Sequence, residues 1–77
     1  MDLTASMRDY ILGLGWNYTG TCGCSENMYK YSSPVHLNYE IRIGMKVNKF
    51  TIRKHGSTIR SGNSHNFIQN YGEVFGN

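Results

Sequence analysis

Apolar and polar residues alternate strictly from Tyr39 to Val47. Tyr39, Ile41, Ile43, Met45 and Val47 share one parity, with Glu40, Arg42, Gly44 and Lys46 between them. Period-two alternation marks a half-buried strand, because successive side chains leave opposite faces of the pleat. Phe50 and Ile52 resume the apolar parity, with Thr51 and Arg53 on the other. Asn48 tolerates positive φ, so Asn48-Lys49 is predicted as a two-residue hairpin loop. That register sets Val47 against Phe50, Met45 against Ile52 and Ile43 against Lys54, and it keeps the apolar set on one face. Gly56-Ser57 predicts a second two-residue turn, with His55 against Thr58, Lys54 against Ile59 and Arg53 against Arg60. The stretch 39–60 therefore reads as a three-stranded antiparallel meander. Its outer face would carry Arg42, Lys46, Arg53 and Arg60 beside Gly44, Thr51, His55 and Thr58.

The flanking segments supply the remaining elements. Leu3, Met7, Tyr10, Ile11 and Leu14 form one stripe of a helix over 2–14, with Asp2 or Thr4 as cap and Gly13 or Gly15 as its end. Residues 16–24 read as a strand, or a strand with a loop, in which Trp16, Tyr18, Cys22 and Cys24 share a parity, and Gly20 and Gly23 suggest a bulge or bend. Ser25-Glu26-Asn27 is a turn, and 28–32 is a second short strand carrying Tyr29 and Tyr31. Pro34 breaks the chain before the meander. Gly62-Asn63-Ser64 reads as loop and cap, after which Phe67, Ile68, Tyr71, Val74 and Phe75 recur at helical spacing. The predicted fold is α+β, a single small domain over 1–77 with an antiparallel sheet of about four to five strands. The N-terminal and C-terminal helices would cover its apolar face.

Charge changes this picture more than composition does. The 77 residues carry a formal net charge of +3. Residues 1–40 hold Arg8 and Lys30 against Asp2, Asp9, Glu26 and Glu40. Residues 41–77 hold Arg42, Lys46, Lys49, Arg53, Lys54 and Arg60 against Glu73 alone. A basic block without an acid is a footprint for nucleic acid, a membrane surface or an acidic protein surface. No apolar run approaches the roughly 20 residues of a spanning helix. The N-terminus lacks the basic and apolar regions of a signal peptide, so a cytoplasmic protein is expected. Arg53 and Arg60, if directly opposite, would repel by a few tenths to about 1 kcal/mol, and a polyanionic partner would offset that repulsion.

Candidate chemistry is sparse. Cys22-Gly23-Cys24 is closer than the usual Cys-x(2–4)-Cys metal spacing, although His36, His55 and His65 could in principle complete a zinc site. In an extended segment two cysteines so placed stand too far apart for a disulfide. Two reduced, buried thiols are therefore expected, and no cofactor. The acids are scattered, and no glycine-rich phosphate loop, HExxH or GxSxG motif is present. Two catalytic arrangements come into question: Cys22 or Cys24 paired with a His, which no acidic orienter accompanies, and a small nuclease using His55 or His65, with Arg53 or Arg60 on the phosphate. Leu14-Gly15-Trp16 and the helix at Ile68 to Gly72 loosely resemble the two ends of small HicA-type toxins. That resemblance implies a ribonuclease of double-stranded-RNA-binding-like fold. In that family a Gly-Ser-His segment on the first hairpin carries the catalytic His. The corresponding stretch here is TCGCSENMYKY, without a His. In size and style the chain also resembles short proteins of phages and mobile elements.

The expected function is therefore a non-catalytic binding protein. Arg42, Lys46, Lys49, Arg53 and Arg60 would contact phosphates, and Tyr29 and Tyr31 would stack on bases, which favours single strands or RNA as partner. The alternative is an inhibitor or adaptor that docks the same face on an acidic or nucleic-acid-binding protein.

Overall fold

The computed structural model describes residues 3–22 and 27–76, with side chains from Ala5 onward. Asp2, the side chains of Leu3 and Thr4, and Gly23, Cys24, Ser25 and Glu26 lie outside that description; Thr4, an expected cap, falls inside α1. In chain order the elements are α1 (Leu3–Gly13), β1 (Asn17–Thr21), β2 (Met28–Ser32), β3 (Tyr39–Gly44), β4 (Lys49–Lys54), β5 (Ser57–Asn63), a 3-10 turn (Ser64–Asn66) and α2 (Phe67–Phe75). The five strands form one antiparallel sheet in the order β1-β2-β3-β4-β5. The expected α+β layout of two helices and a meander is what the chain adopts.

One sheet face packs under the helices. Ile41 and Ile43 of β3 stand opposite Ile52 and Phe50 of β4, and opposite Tyr31 and Tyr29 of β2. With Met7, Ile11, Trp16, Phe67 and Tyr71 they form the core. The Trp16 indole N–H donates to the Tyr71 hydroxyl at 2.9 Å, which ties the two ends of the chain together. Phe75 continues this cluster, with its ring 5.3 Å from Trp16 and 4.6 Å from His36. His36 itself stacks on Trp16, at a centroid distance of 5.8 Å.

Three sequence expectations fail at turns. Leu14 is half exposed rather than part of the helical stripe. Helix α1 ends at Gly13, and the Leu14, Gly15 and Trp16 amides all turn back on carbonyls of the last helical turn. That reversal rotates Leu14 outward and drives Trp16 into the core. Met45 and Val47 likewise leave the core, because the β3–β4 loop spans four residues, 45–48, instead of two. Phe50 pairs with Ile43 rather than Val47, a shift of four that preserves parity and therefore the burial of Phe50 and Ile52. Gly44 permits this path: a Cβ there would lie 2.4 Å from the Val47 carbonyl oxygen.

The second turn is His55-Gly56, not Gly56-Ser57. Lys54 pairs with Ser57, and both central residues have positive φ, 52° and 81°. This is the geometry of a type I′ hairpin turn, whose twist matches the flanking strands. A bulge then leaves Ile59 unpaired, so Arg53 faces Thr58 and Arg60 faces Ile52. The expected Arg53–Arg60 opposition does not occur, and neither does its repulsion. Gly62 and Asn63 extend β5, and the Asn63 side chain accepts the His65 amide to cap the 3-10 turn.

Candidate nucleic-acid interface

Register decides which cations share the face opposite the helices. Lys30 stands beside Arg42, Arg42 beside Thr51, Glu40 beside Arg53, and Thr51 beside Ser61. Lys49 lies two residues before Thr51 on the same strand and so takes the same side. The outer face therefore gathers Lys30, Arg42, Lys49 and Arg53 around Glu40, with the hydroxyls of Ser32, Thr51, Thr58 and Ser61. Of the expected contact residues, Arg42, Lys49 and Arg53 belong here.

The others do not. Lys46 is exposed in the β3–β4 loop rather than on a strand. Arg60 moves to the helix side because the Ile59 bulge inverts its parity, and its Nε lies 3.9 Å from the Glu73 carboxylate on α2. Tyr31 is fully buried, and its hydroxyl accepts from Arg8 Nε at 2.6 Å. This bond, ahead of the opposing effect of burial, raises the pKa of Arg8 above its ordinary value. Tyr29 is half-buried, with the Arg8 guanidinium 4.4 Å from its ring centre and Tyr18 against its edge. Both tyrosines face the helices, so neither can stack on a base lying across the outer face.

Sequence reasoning passed over two residues that organise the site. Glu40 shares parity with Arg42, two positions away, and the alternation alone placed it there. Its Oε1 accepts Arg42 Nε at 2.6 Å and faces Arg53 Nε at 3.7 Å. Lys30 joins through the β2–β3 register. Arg53 is further held by Thr58 Oγ1, at 3.0 Å from Nη1, and by the Gly56 carbonyl oxygen. These ion pairs are partly exposed and each contributes at most about 1 kcal/mol to stability. Their effect is positional: one carboxylate oxygen holds two guanidinium groups on neighbouring strands.

Cys22 also reaches this face. A bulge at Thr19 inverts β1, so Tyr18 pairs with Tyr31 on the helix side while Gly20 pairs with Lys30 on the outer side. Gly20 accommodates the bend at φ 125°. Cys22 follows Gly20 by two, and Arg42 Nη1 lies 3.4 Å from its sulfur. The expected shared face for Tyr18 and Cys22 is thus wrong. So is the expectation of a reduced thiol, since Cys22 is disulfide-bonded. The spacing that keeps two such cysteines apart holds within a continuous strand, and β1 ends at Thr21.

Elsewhere the chemistry is dispersed. His36 is packed among aromatic rings, His55 occupies the β4–β5 turn, and His65 lies in the 3-10 turn. Among the described residues no group of three or more His, Cys, Asp or Glu side chains could hold a metal ion. No helix among them is long and apolar enough to cross a membrane. No protein-family model matches the chain, and no curated protein or solved structure matches it significantly.

Proposed function

We propose that the protein is a non-catalytic binding module whose outer sheet face tracks the phosphate backbone of a nucleic acid. The observation that carries this reading is the gathering of Lys30, Arg42, Lys49 and Arg53 on one solvent-facing surface, with the two arginines positioned by Glu40. Arginine presents a planar fork of donors that fits phosphate oxygens. The surrounding Ser and Thr hydroxyls are further phosphate or sugar partners. With the tyrosines on the other side, binding rests on charge and backbone contact rather than base stacking.

The test is fluorescence anisotropy with labelled single-stranded DNA, duplex DNA and RNA at about 50 and 200 mM salt. Four cations against one carboxylate correspond to about three neutralised phosphates, so affinity should fall about 40-fold over that span. Absence of binding at the lower salt would remove this reading. The second reading, an inhibitor or adaptor that docks the same face on another protein, draws on the Glu40 carboxylate at the centre of the patch. A charge-patterned protein partner would engage that carboxylate, and a polyanion would not. Stoichiometric, weakly salt-dependent binding to one protein would favour it.

A further inference from the structure

Glu40 is an anion set among the cations of the outer face, and its two oxygens are used differently. Oε1 accepts Arg42 Nε at 2.6 Å and lies 3.7 Å from Arg53 Nε, so it sits between the two guanidinium groups. Among the described residues Oε2 has no hydrogen-bond partner, and the side chain is 31% exposed. Arg42 commits Nε to Glu40 and Nη1 to the Cys22 sulfur, and Arg53 commits Nη1 to Thr58 Oγ1 and Nη2 to the Gly56 carbonyl oxygen. Each guanidinium has more N–H groups than these partners occupy, so both keep donors for a phosphate. The surface thus runs cation, carboxylate, cation across two neighbouring strands.

A nucleic-acid backbone alternates phosphate, sugar, phosphate. With phosphates on Arg42 and Arg53, the sugar between them lies over Glu40. The DNA backbone offers that carboxylate only acceptors, so it stays unengaged and repels. Each ribose of RNA adds a 2′-hydroxyl, which donates as well as accepts. We propose that Glu40 reads the ribose: its Oε2 accepts the 2′-hydroxyl of a nucleotide whose flanking phosphates lie on Arg42 and Arg53, and the face thereby selects RNA over DNA. The inference rests on the phosphate-backbone reading above and names the class of nucleic acid that the face takes. Repulsion between Glu40 and phosphate weakens binding of either backbone, and the hydroxyl bond offsets it for RNA alone. A group that opposes the wrong partner and engages the right one is how specificity is built. The hydroxyls of Ser32, beside Glu40, and Thr51, beside Arg42, can donate to the phosphates of either backbone, so they do not discriminate.

The experiment compares three labelled probes of one base sequence, as DNA, RNA and 2′-fluoro RNA, by fluorescence anisotropy at about 50 mM salt. Each is measured single-stranded and as a duplex, and the format that binds more tightly is used for the comparison. The 2′-fluoro probe keeps the sugar pucker of RNA and carries no hydroxyl donor, so it separates the hydrogen bond from backbone shape. The unaltered chain should bind RNA about tenfold more tightly than DNA, the worth of one hydrogen bond to a partly exposed charged acceptor. The 2′-fluoro probe should bind like DNA. Glu40→Gln, which keeps a neutral acceptor, should narrow the RNA preference to about threefold while DNA affinity rises. That rise shows the face intact, so a lost preference would not come from a damaged fold. Equal affinity for RNA and DNA, 2′-fluoro RNA binding as tightly as RNA, or an unchanged preference in Glu40→Gln would each overturn the proposal and leave the phosphate-backbone reading standing. Absence of binding to every probe would instead remove that reading, and this inference with it, in favour of docking on a protein.

Discussion

Replacing Tyr71 by Phe tests the contact that joins the two ends of the chain. Trp16 and Tyr71 are both buried, at 1% and 5% exposure, and the indole N–H donates to the Tyr71 hydroxyl at 2.9 Å. The substitution keeps the ring, its edge contact with Tyr10 and its tilted contact with Phe75, so no cavity forms. Its cost is the indole N–H left without a partner away from water, about 1–3 kcal/mol. For a domain of this size that corresponds to a drop of roughly 5–20 °C in Tm. Urea unfolding followed by far-ultraviolet circular dichroism should show a lower midpoint at unchanged slope, since the buried surface is unaltered. The pairing itself is isolated by repeating the change in a Trp16→Phe background. There the Tyr71 hydroxyl has already lost its donor, so Tyr71→Phe should be neutral or stabilising. A cost under about 0.5 kcal/mol in the unaltered background, or the same cost in both, would refute the assignment of this bond as a buried tie.

Three further outcomes follow from the turns and the charged face. His55→Asn should stabilise the fold by a few tenths of a kcal/mol, because Asn adopts the left-handed conformation at φ 52° more readily and Asn-Gly is the preferred type I′ pair; thermal unfolding checks it. Gly44→Ala should destabilise by roughly 2 kcal/mol or more, because its Cβ would meet the Val47 carbonyl oxygen at 2.4 Å and the loop path must shift; denaturant unfolding measures this. On the outer face the two signs of charge should act oppositely. Glu40→Gln should tighten duplex binding and steepen its salt slope by about 0.9, whereas Arg53→Glu should weaken binding and flatten the slope. Anisotropy titrations that move both variants the same way would refute the assignment of this face.

How far the sequence revealed the fold depended on which signal each segment carried. Phe67–Phe75 was legible because its 3.6-residue periodicity runs from end to end, and Met28–Ser32 because Tyr29 and Tyr31 alternate with Lys30 and Ser32, although the buried Met28 falls on the polar parity. The faces of β3 and β4 were legible for the same reason. Their pairing was not, because a shift of four residues leaves every side chain on the same face, and periodicity is blind to it. Met45 and Val47 kept the alternation going past the true end of the strand. Only the close approach of Gly44 to Val47, which a linear pattern does not show, ends β3 at that point. Trp16 was legible as a large apolar residue, but its replacement of Leu14 in the core depends on how the helix terminates.

The composition of the candidate site was harder to read for a sharper reason. A four-residue slip preserves a face, but a one-residue bulge inverts it. Two such bulges, one at Thr19 in β1 and one at Ile59 in β5, fall on the two edge strands, where an unpaired residue disturbs a single ladder. Each exchanges the chemistry of its strand between faces. The Ile59 bulge takes Arg60 from the solvent face and gives it to Glu73, which removes the like-charge opposition that had argued for a polyanionic partner. The Thr19 bulge brings Cys22 to Arg42 and separates it from Tyr18. The case for a phosphate-binding face therefore rests less on the number of basic residues in 41–60 than on the interior strands β2, β3 and β4. Those strands pair without interruption around Lys30, Glu40, Arg42 and Thr51, and the irregular edges determine what else joins them.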